Sequence, residues 1–210
     1  MALRWLKLIV LVALLSAGAS AQDEKSLKLL KDFESPPAPD LRPTAAIGPK
    51  DSLMKAAYLD VFTILSSRSG CSEFYGGPAI AITVLNELVG HVRYGFLPVR
   101  ISFEMKGAGT YITNVPTGAT YRRFAKMTVN YNGAFYKDRR LDLEKTPRVG
   151  SFFPNTRPAR ALILLHEMGH LIHKNGAWLI PDDGRDWWRS GENTRVIERT
   201  CREELRSLDK

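Results

Sequence analysis

His166-Glu167-Met168-Gly169-His170 places two imidazoles four residues apart with a carboxylate between them. On an α-helix, residues i and i+4 lie about one turn apart on the same face. Both rings can therefore reach one metal ion while Glu167 lies beside them. A carboxylate held next to a metal site can take a proton from water, so the pattern offers metal-assisted hydrolysis with Glu167 as general base. The chain has four histidines in 210 residues. At that frequency H-E-x-x-H arises by chance in roughly half a per cent of such chains, which favours a site over two histidines that merely satisfy local hydrogen bonds.

A helix must carry the pattern. Asn155 or Thr156 can cap it, Pro158 suits its first turn, and Asn175-Gly176 supplies a stop. Between these signals Leu162, Leu165, Gly169 and Ile172 fall beside the histidine face and can enter the core. A catalytic zinc ion needs three protein ligands and one open position. His173 shares the metal-facing side of such a helix but lies about two turns from His166, which suits a supporting or substrate contact better than ligation. The remaining choices for the third ligand are the downstream carboxylates Asp182, Asp183, Asp186, Glu192 and Glu198.

Upstream, Arg4 and Lys7 precede the apolar run Leu8 to Leu15 and a small-residue stretch ending at Ala21, the parts of a secretory signal over residues 1–21. Residues 22–49 include the proline-dense segment Ser35 to Pro43 and read as a linker. A single domain is expected over 50–210. Its elements are a helix from Asp51 or Ser52 to about Ser66, a turn-rich segment Ser69 to Pro78, and a second helix from Ala79 to about Val92 with His91 near its end. From Leu97 the period changes, and strands follow at Val99–Met105 and Thr110–Val115. Asn132-Gly133 marks a hairpin between Phe124–Tyr131 and Ala134–Lys137. Leu141 to Pro154 reads as a loop. A last helix, capped by Ser190 or Asn193, reaches about Leu208, with Val196, Ile197, Leu205 and Leu208 as its apolar contributors. The fold class is α+β, with a small, mainly antiparallel sheet ahead of the H-E-x-x-H helix.

The formal charge is +8. Loss of the leader removes Arg4 and Lys7 and no acidic residue, leaving +6. The basic residues are scattered, with only short pairs such as Arg122-Arg123 and Arg139-Arg140, which speaks against nucleic acid as a partner. Cys71 and Cys201 are the only cysteines. In an exported chain they are expected to form one disulfide, tying the last helix to the segment before Ala79. Trp178, Trp187 and Trp188 flank the carboxylates and are expected to pack.

The region resembles the zincin peptidases, in which a sheet precedes an H-E-x-x-H helix and an edge strand above the metal binds the substrate backbone. Met127 to Tyr136 is the segment here that matches such an edge. A metzincin has a third histidine six residues after the second, and that position is Gly176. A thermolysin-like enzyme draws a glutamate from the next helix within Asn-Glu, an order reversed here in Glu192-Asn193. An aspzincin takes an aspartate from the loop after the helix, often from an Asp-Asp pair. Ile180-Pro181-Asp182-Asp183-Gly184 resembles that arrangement without the preceding Gly-Thr, and on this resemblance Asp183 is the expected third ligand. Together with Ser190-x-x-Asn193-Thr194 and Cys201, these motifs resemble a group of poorly characterised secreted bacterial proteins over about 40 residues. The resemblance implies a zincin-like domain holding Zn2+ through His166, His170 and Asp183, with Glu167 catalytic. It implies a secreted or periplasmic protein acting on a peptide or protein substrate, cell-wall peptides included, with no membrane span once the signal is cleaved. Tyr131, Tyr136, His173 and Arg185 are eligible donors to a developing oxyanion. The alternative is a zincin-like protein that holds zinc or binds the cell envelope without turnover.

Overall fold

Asp51 accepts a hydrogen bond from the Met54 backbone N–H, 2.8 Å away, and so caps helix α1, Ser52–Ser66. The computed structural model describes residues 47, 51–90, 92–95, 101–114, 119–138, 146–184 and 186–209, all within one unit spanning 37–210. The expected leader 1–21, the linker 22–49 apart from Ile47, His91, Arg139, Arg140 and Arg185 lie outside the described residues.

Where a turn-rich segment was expected, a short helix α2, Gly70–Phe74, forms. Its reason is a reciprocal cap: the Ser69 hydroxyl accepts from the Ser72 N–H while the Ser72 hydroxyl accepts from the Ser69 N–H. Helix α3, Pro78–Gly90, starts on a proline that needs no donor there, and it buries Ile80, Val84 and Leu88 as their spacing foretells.

The strands are β1, Val92–Gly95; β2, Ile101–Asn114; and β3, Ala119–Asn130. β2 is one long irregular strand where two were expected, with register shifts between Glu104 and Ile112 against its antiparallel partner β3. β1 pairs parallel to the end of β3, and β4, Ile172–Lys174, pairs antiparallel to its start. β3 is thus the centre of a mixed sheet whose other pairings are antiparallel.

Met127 to Tyr136 is not an edge hairpin. Met127, Thr128 and Val129 are flanked by β1 and β2 together, and Asn132-Gly133 does not reverse the chain into a second strand. A two-residue hairpin of this kind needs positive φ at both positions, and neither residue is among those with positive φ. Instead the Asn130 side chain accepts from Asn132 N, its carbonyl from Gly133 N, and the Gly133 carbonyl from Tyr136 N and Lys137 N. The tight hairpin falls elsewhere. Asn175 and Gly176 take φ of 53° and 81° and join β4 to β5, Ala177–Trp178.

The H-E-x-x-H helix, α4, spans Arg157–Gly169, with Thr156 as its cap. It ends well short of Asn175, so Ile172 and His173 lie in β4 rather than on the helix. α4 is buried almost all round, against α1, α3 and the last helices. Its start is held by Arg157 on Asp60, with nitrogens 2.7 and 3.2 Å from the carboxylate oxygens, and by Arg160, which donates to the backbone and side chain of Asn155. Near its far end the buried Tyr75 hydroxyl donates to the Leu165 carbonyl at 2.7 Å.

The last helix is two segments, α5, Trp187–Thr200, and α6, Arg202–Ser207, broken at Cys201. Its cap is Asp186, which accepts from Trp188 N and Arg189 N; Ser190 and Asn193, the expected caps, lie inside it. Ile197 and Leu205 are in the core, with Val196 and Leu208 packed against it. The expected disulfide is present: Cys71 in α2 is bonded to Cys201 across 130 residues. No helix among the described residues is long and apolar enough to cross a membrane.

A cross-link over so long a loop limits the unfolded chain by about 5 kcal/mol in the chain-entropy model. Cys71→Ser/Cys201→Ser should therefore unfold in urea with a free energy lower by about 2 to 5 kcal/mol. An unchanged midpoint would show that the bond contributes nothing to the fold.

Candidate metal centre

α4 delivers both histidines because its last turn is intact when the chain turns away. Gly169 closes the helix and His170 occupies its C-terminal cap with φ −72° and ψ −18°, so the two rings keep their one-turn spacing. Their centroids are 4.8 Å apart. Gly169 also lets the next loop approach. A Cβ at this position would lie 2.9 Å from Ile180 Cδ1 and Cγ1 and 3.4 Å from Ile197 Cδ1. The buried Ile180 side chain thus sits where any larger residue would be. Three residues later the same loop presents Asp183.

Three Lewis-basic groups converge. Asp183 Oδ2 is 3.0 Å from His166 Nε2, Asp183 Oδ1 is 3.6 Å from His170 Nε2, and the two Nε2 atoms are 3.1 Å apart. Four-coordinate zinc with ligands at about 2.0–2.1 Å separates neighbouring ligand atoms by roughly 3.3 Å, so the observed spacings suit one ion of that size. The side chains are 7%, 14% and 23% exposed for His166, His170 and Asp183, a gradient from interior to surface. Among the described residues this is the group of histidine, cysteine and acidic side chains able to share an ion. Glu167, half-buried, lies between the two histidines on the helix.

The partners of His166 set which of its nitrogens faces the cluster. Thr194 Oγ1 is 3.1 Å from His166 Nδ1 and donates its single proton to the Ser190 carbonyl at 2.8 Å. Oγ1 thereby offers its lone pairs to His166 Nδ1, and Nε2 is the nitrogen turned toward Asp183 and His170. His170 Nδ1 is buried with no hydrogen-bond partner among the described residues. Asn193, 4% exposed, donates from Nδ2 to Asp183 Oδ1 at 2.6 Å and to the Pro181 carbonyl at 2.8 Å.

Charge follows this geometry. Burial alone raises the Asp183 carboxyl, but hydrogen bonds from His166 and His170, with a further one from Ser190, hold it far below the usual carboxylate range. Burial alone lowers His170, yet the hydrogen bond to Asp183 and the charges of Glu167, Asp183 and Asp182 leave it above the ordinary histidine value.

The other acids are occupied elsewhere. Asp182 is exposed and accepts from Gly184 N; Asp186 caps α5; Glu192 pairs with Arg195; Glu198 accepts from the backbone and hydroxyl of Ser151. Of the eligible oxyanion donors, Tyr136 donates to Asp51 at 2.5 Å, Tyr131 packs on Tyr136, and His173 packs on Trp178. Trp187 and Trp188, expected to pack, are 80% and 58% exposed. They stand in the first turn of α5, whose inward side carries Asn193 and Ile197 instead.

Searches of protein-family models, curated proteins and solved structures find no match to the chain.

In metal-free protein the depressed Asp183 contributes stability above about pH 4 that is lost as pH falls through its folded value; the raised His170 contributes below about pH 6.5 and its share is lost as pH rises through its folded value. Thermal midpoints of chelator-treated protein should therefore decline as pH rises above about 6.5, and Asp183→Asn should flatten that decline. The same slope in both proteins would remove the ion pair from the account.

Proposed function

We propose that this protein is an exported, zincin-like, zinc-dependent peptidase or related amide hydrolase. The observation that carries the reading is the convergence of His166, His170 and Asp183 at the end of the helix that also bears Glu167. Two neutral nitrogens and one carboxylate are the ligand number and type of a catalytic zinc site with one position left open. The disulfide suits an oxidising compartment, and so supports export.

When bound, the zinc ion acidifies water and polarises a substrate carbonyl. Glu167 accepts a proton from the attacking water as its oxygen bonds to the carbonyl carbon, and returns that proton to the leaving nitrogen as the C–N bond breaks. Asp183 and the histidines hold position and stay out of the proton transfer. Substrates are peptides or proteins reached outside the cytoplasm, peptide cross-links of a cell wall among them.

Purified residues 22–210 should contain one zinc per chain and cleave an unstructured protein such as casein. Glu167→Gln should keep the zinc and lose activity by about 10²- to 10⁴-fold. Unchanged cleavage in this variant would overturn the role of Glu167. Stoichiometric zinc with no cleavage by wild type would leave a zinc-holding protein without turnover. Wild type purified without chelator and free of bound metal would overturn the site.

A further inference from the structure

The two groups that orient the metal-facing atoms come from adjacent residues of one helix, and that helix contributes no ligand. Thr194 Oγ1 lies 3.1 Å from His166 Nδ1, and its partners set the polarity of this bond. Its hydroxyl has one proton, already given to the Ser190 carbonyl one turn back, so Oγ1 has only lone pairs to offer the ring. Asn193 is equally constrained. Both neighbours of its amide nitrogen, Pro181 O and Asp183 Oδ1, are acceptors, so each of the two N–H protons is used and the amide has one sensible orientation. One fork therefore ties the ligand loop at two points, and one hydroxyl selects which nitrogen of His166 faces the centre.

The helix that carries this pair is itself immobilised. Ile197 is buried beside Gly169, Glu198 holds the Ser151 backbone and hydroxyl, and Cys201 is bonded to Cys71. His170 has no comparable support at Nδ1.

We propose that Asn193 and Thr194 are the positioning residues of the metal centre: Thr194 fixes the His166 tautomer that leaves Nε2 free to ligate, and Asn193 fixes the Asp183 carboxylate against the histidine pair. The inference rests on the metal-binding reading above and not on turnover. Loss of such a supporting bond lowers metal affinity by about 10- to 100-fold where it orients a ligand.

The test measures zinc affinity by competition with a chromophoric chelator for wild type, Thr194→Val, Thr194→Ser and Asn193→Leu, with near-ultraviolet circular dichroism of each metal-free protein to establish that it is folded. Thr194→Val and Asn193→Leu should bind zinc about 10- to 100-fold more weakly, while Thr194→Ser, which restores the hydroxyl, stays within a few-fold of wild type. In metal-free wild type, nitrogen-15 spectra should show a proton on His166 Nδ1. Wild-type affinity in folded Thr194→Val, an equal loss in Thr194→Ser, or an unprotonated Nδ1 would each overturn the role of Thr194. Wild-type affinity in Asn193→Leu would overturn that of Asn193. The expected pattern of affinities in a protein that cleaves nothing would sink only the catalytic reading; no zinc binding by wild type would sink the metal reading and this inference together.

Discussion

Asp183 reaches the histidines because Ile180 occupies the space that a side chain at residue 169 would fill. The contact is between a buried branched side chain and bare helical backbone, and at 2.9 Å from an ideal Cβ it has no slack for even one methyl group. Interiors this tightly filled respond to an added carbon by moving backbone. The movement would fall on the loop whose next residues include Asp183. Gly169 thus does two things at once. It sits inside H-E-x-x-H, where the spacing of the histidines needs a helix, and it thins that helix on the side where the ligand loop must dock. Ile197 of α5 comes within reach of the same position, so loop and helix close on one point.

Convergence of a carboxylate and two imidazoles in a partly buried place is unfavourable unless each is satisfied. The orienting partners stand outside the cluster: Thr194 Oγ1 meets His166 Nδ1, and Asn193 donates to Asp183 Oδ1. Such bonds hold the groups in place from outside the cluster. The order of the chain adds a condition: the histidines belong to α4, the carboxylate to the loop after β5, and the orienting side chains to α5. The centre is therefore complete only when the C-terminal helix has docked, and the disulfide at Cys201 restricts that helix to the neighbourhood of α2 even before the core forms.

The local chemistry of the sequence was legible where one residue decides one bond. Asp51 caps α1, Thr156 caps α4, and the cysteines pair, each as their types and places suggest. The elements expected around the site are present as helices, a small sheet and a further helix. What could not be read was which of two identical signals is used. Asn132-Gly133 and Asn175-Gly176 are the same dipeptide, yet only the second takes the left-handed conformation at both residues. The difference is tertiary. Ile172 and His173 find open backbone at Tyr121 and Thr120 on β3, which rewards a strand there, while Asn130 turns its side chain to its own backbone and diverts the first dipeptide into successive turns. The early end of α4 has the same cause, since a helix continued to Asn175 would leave Thr120 and Tyr121 of β3 without their β4 partner, paired only to β2. The capping role of Asp186 was hidden by two stronger-looking candidates further on, Ser190 and Asn193, whose side chains serve the site and its helix instead.

Asn193 and Thr194 illustrate a more general limit. Their spacing from Ser190 was visible as a motif, but a hydroxyl and an amide on a helix have many bland uses, and nothing in one sequence says that their face meets the back of His166. A ligand is recognised by its type; a residue that orients a ligand is recognised only by the direction of a bond. The exposure of the three inward groups rises from His166 through His170 to Asp183. The hydroxyl of Thr194 stands behind the most buried of them, and the amide of Asn193 behind the most exposed. The interior end of the centre is fixed by a tautomer, and the outer end by a forked amide that also grips the loop. Between them, His170 is held by its place at the end of α4, which returns the positioning of the whole group to the helix terminus at Gly169.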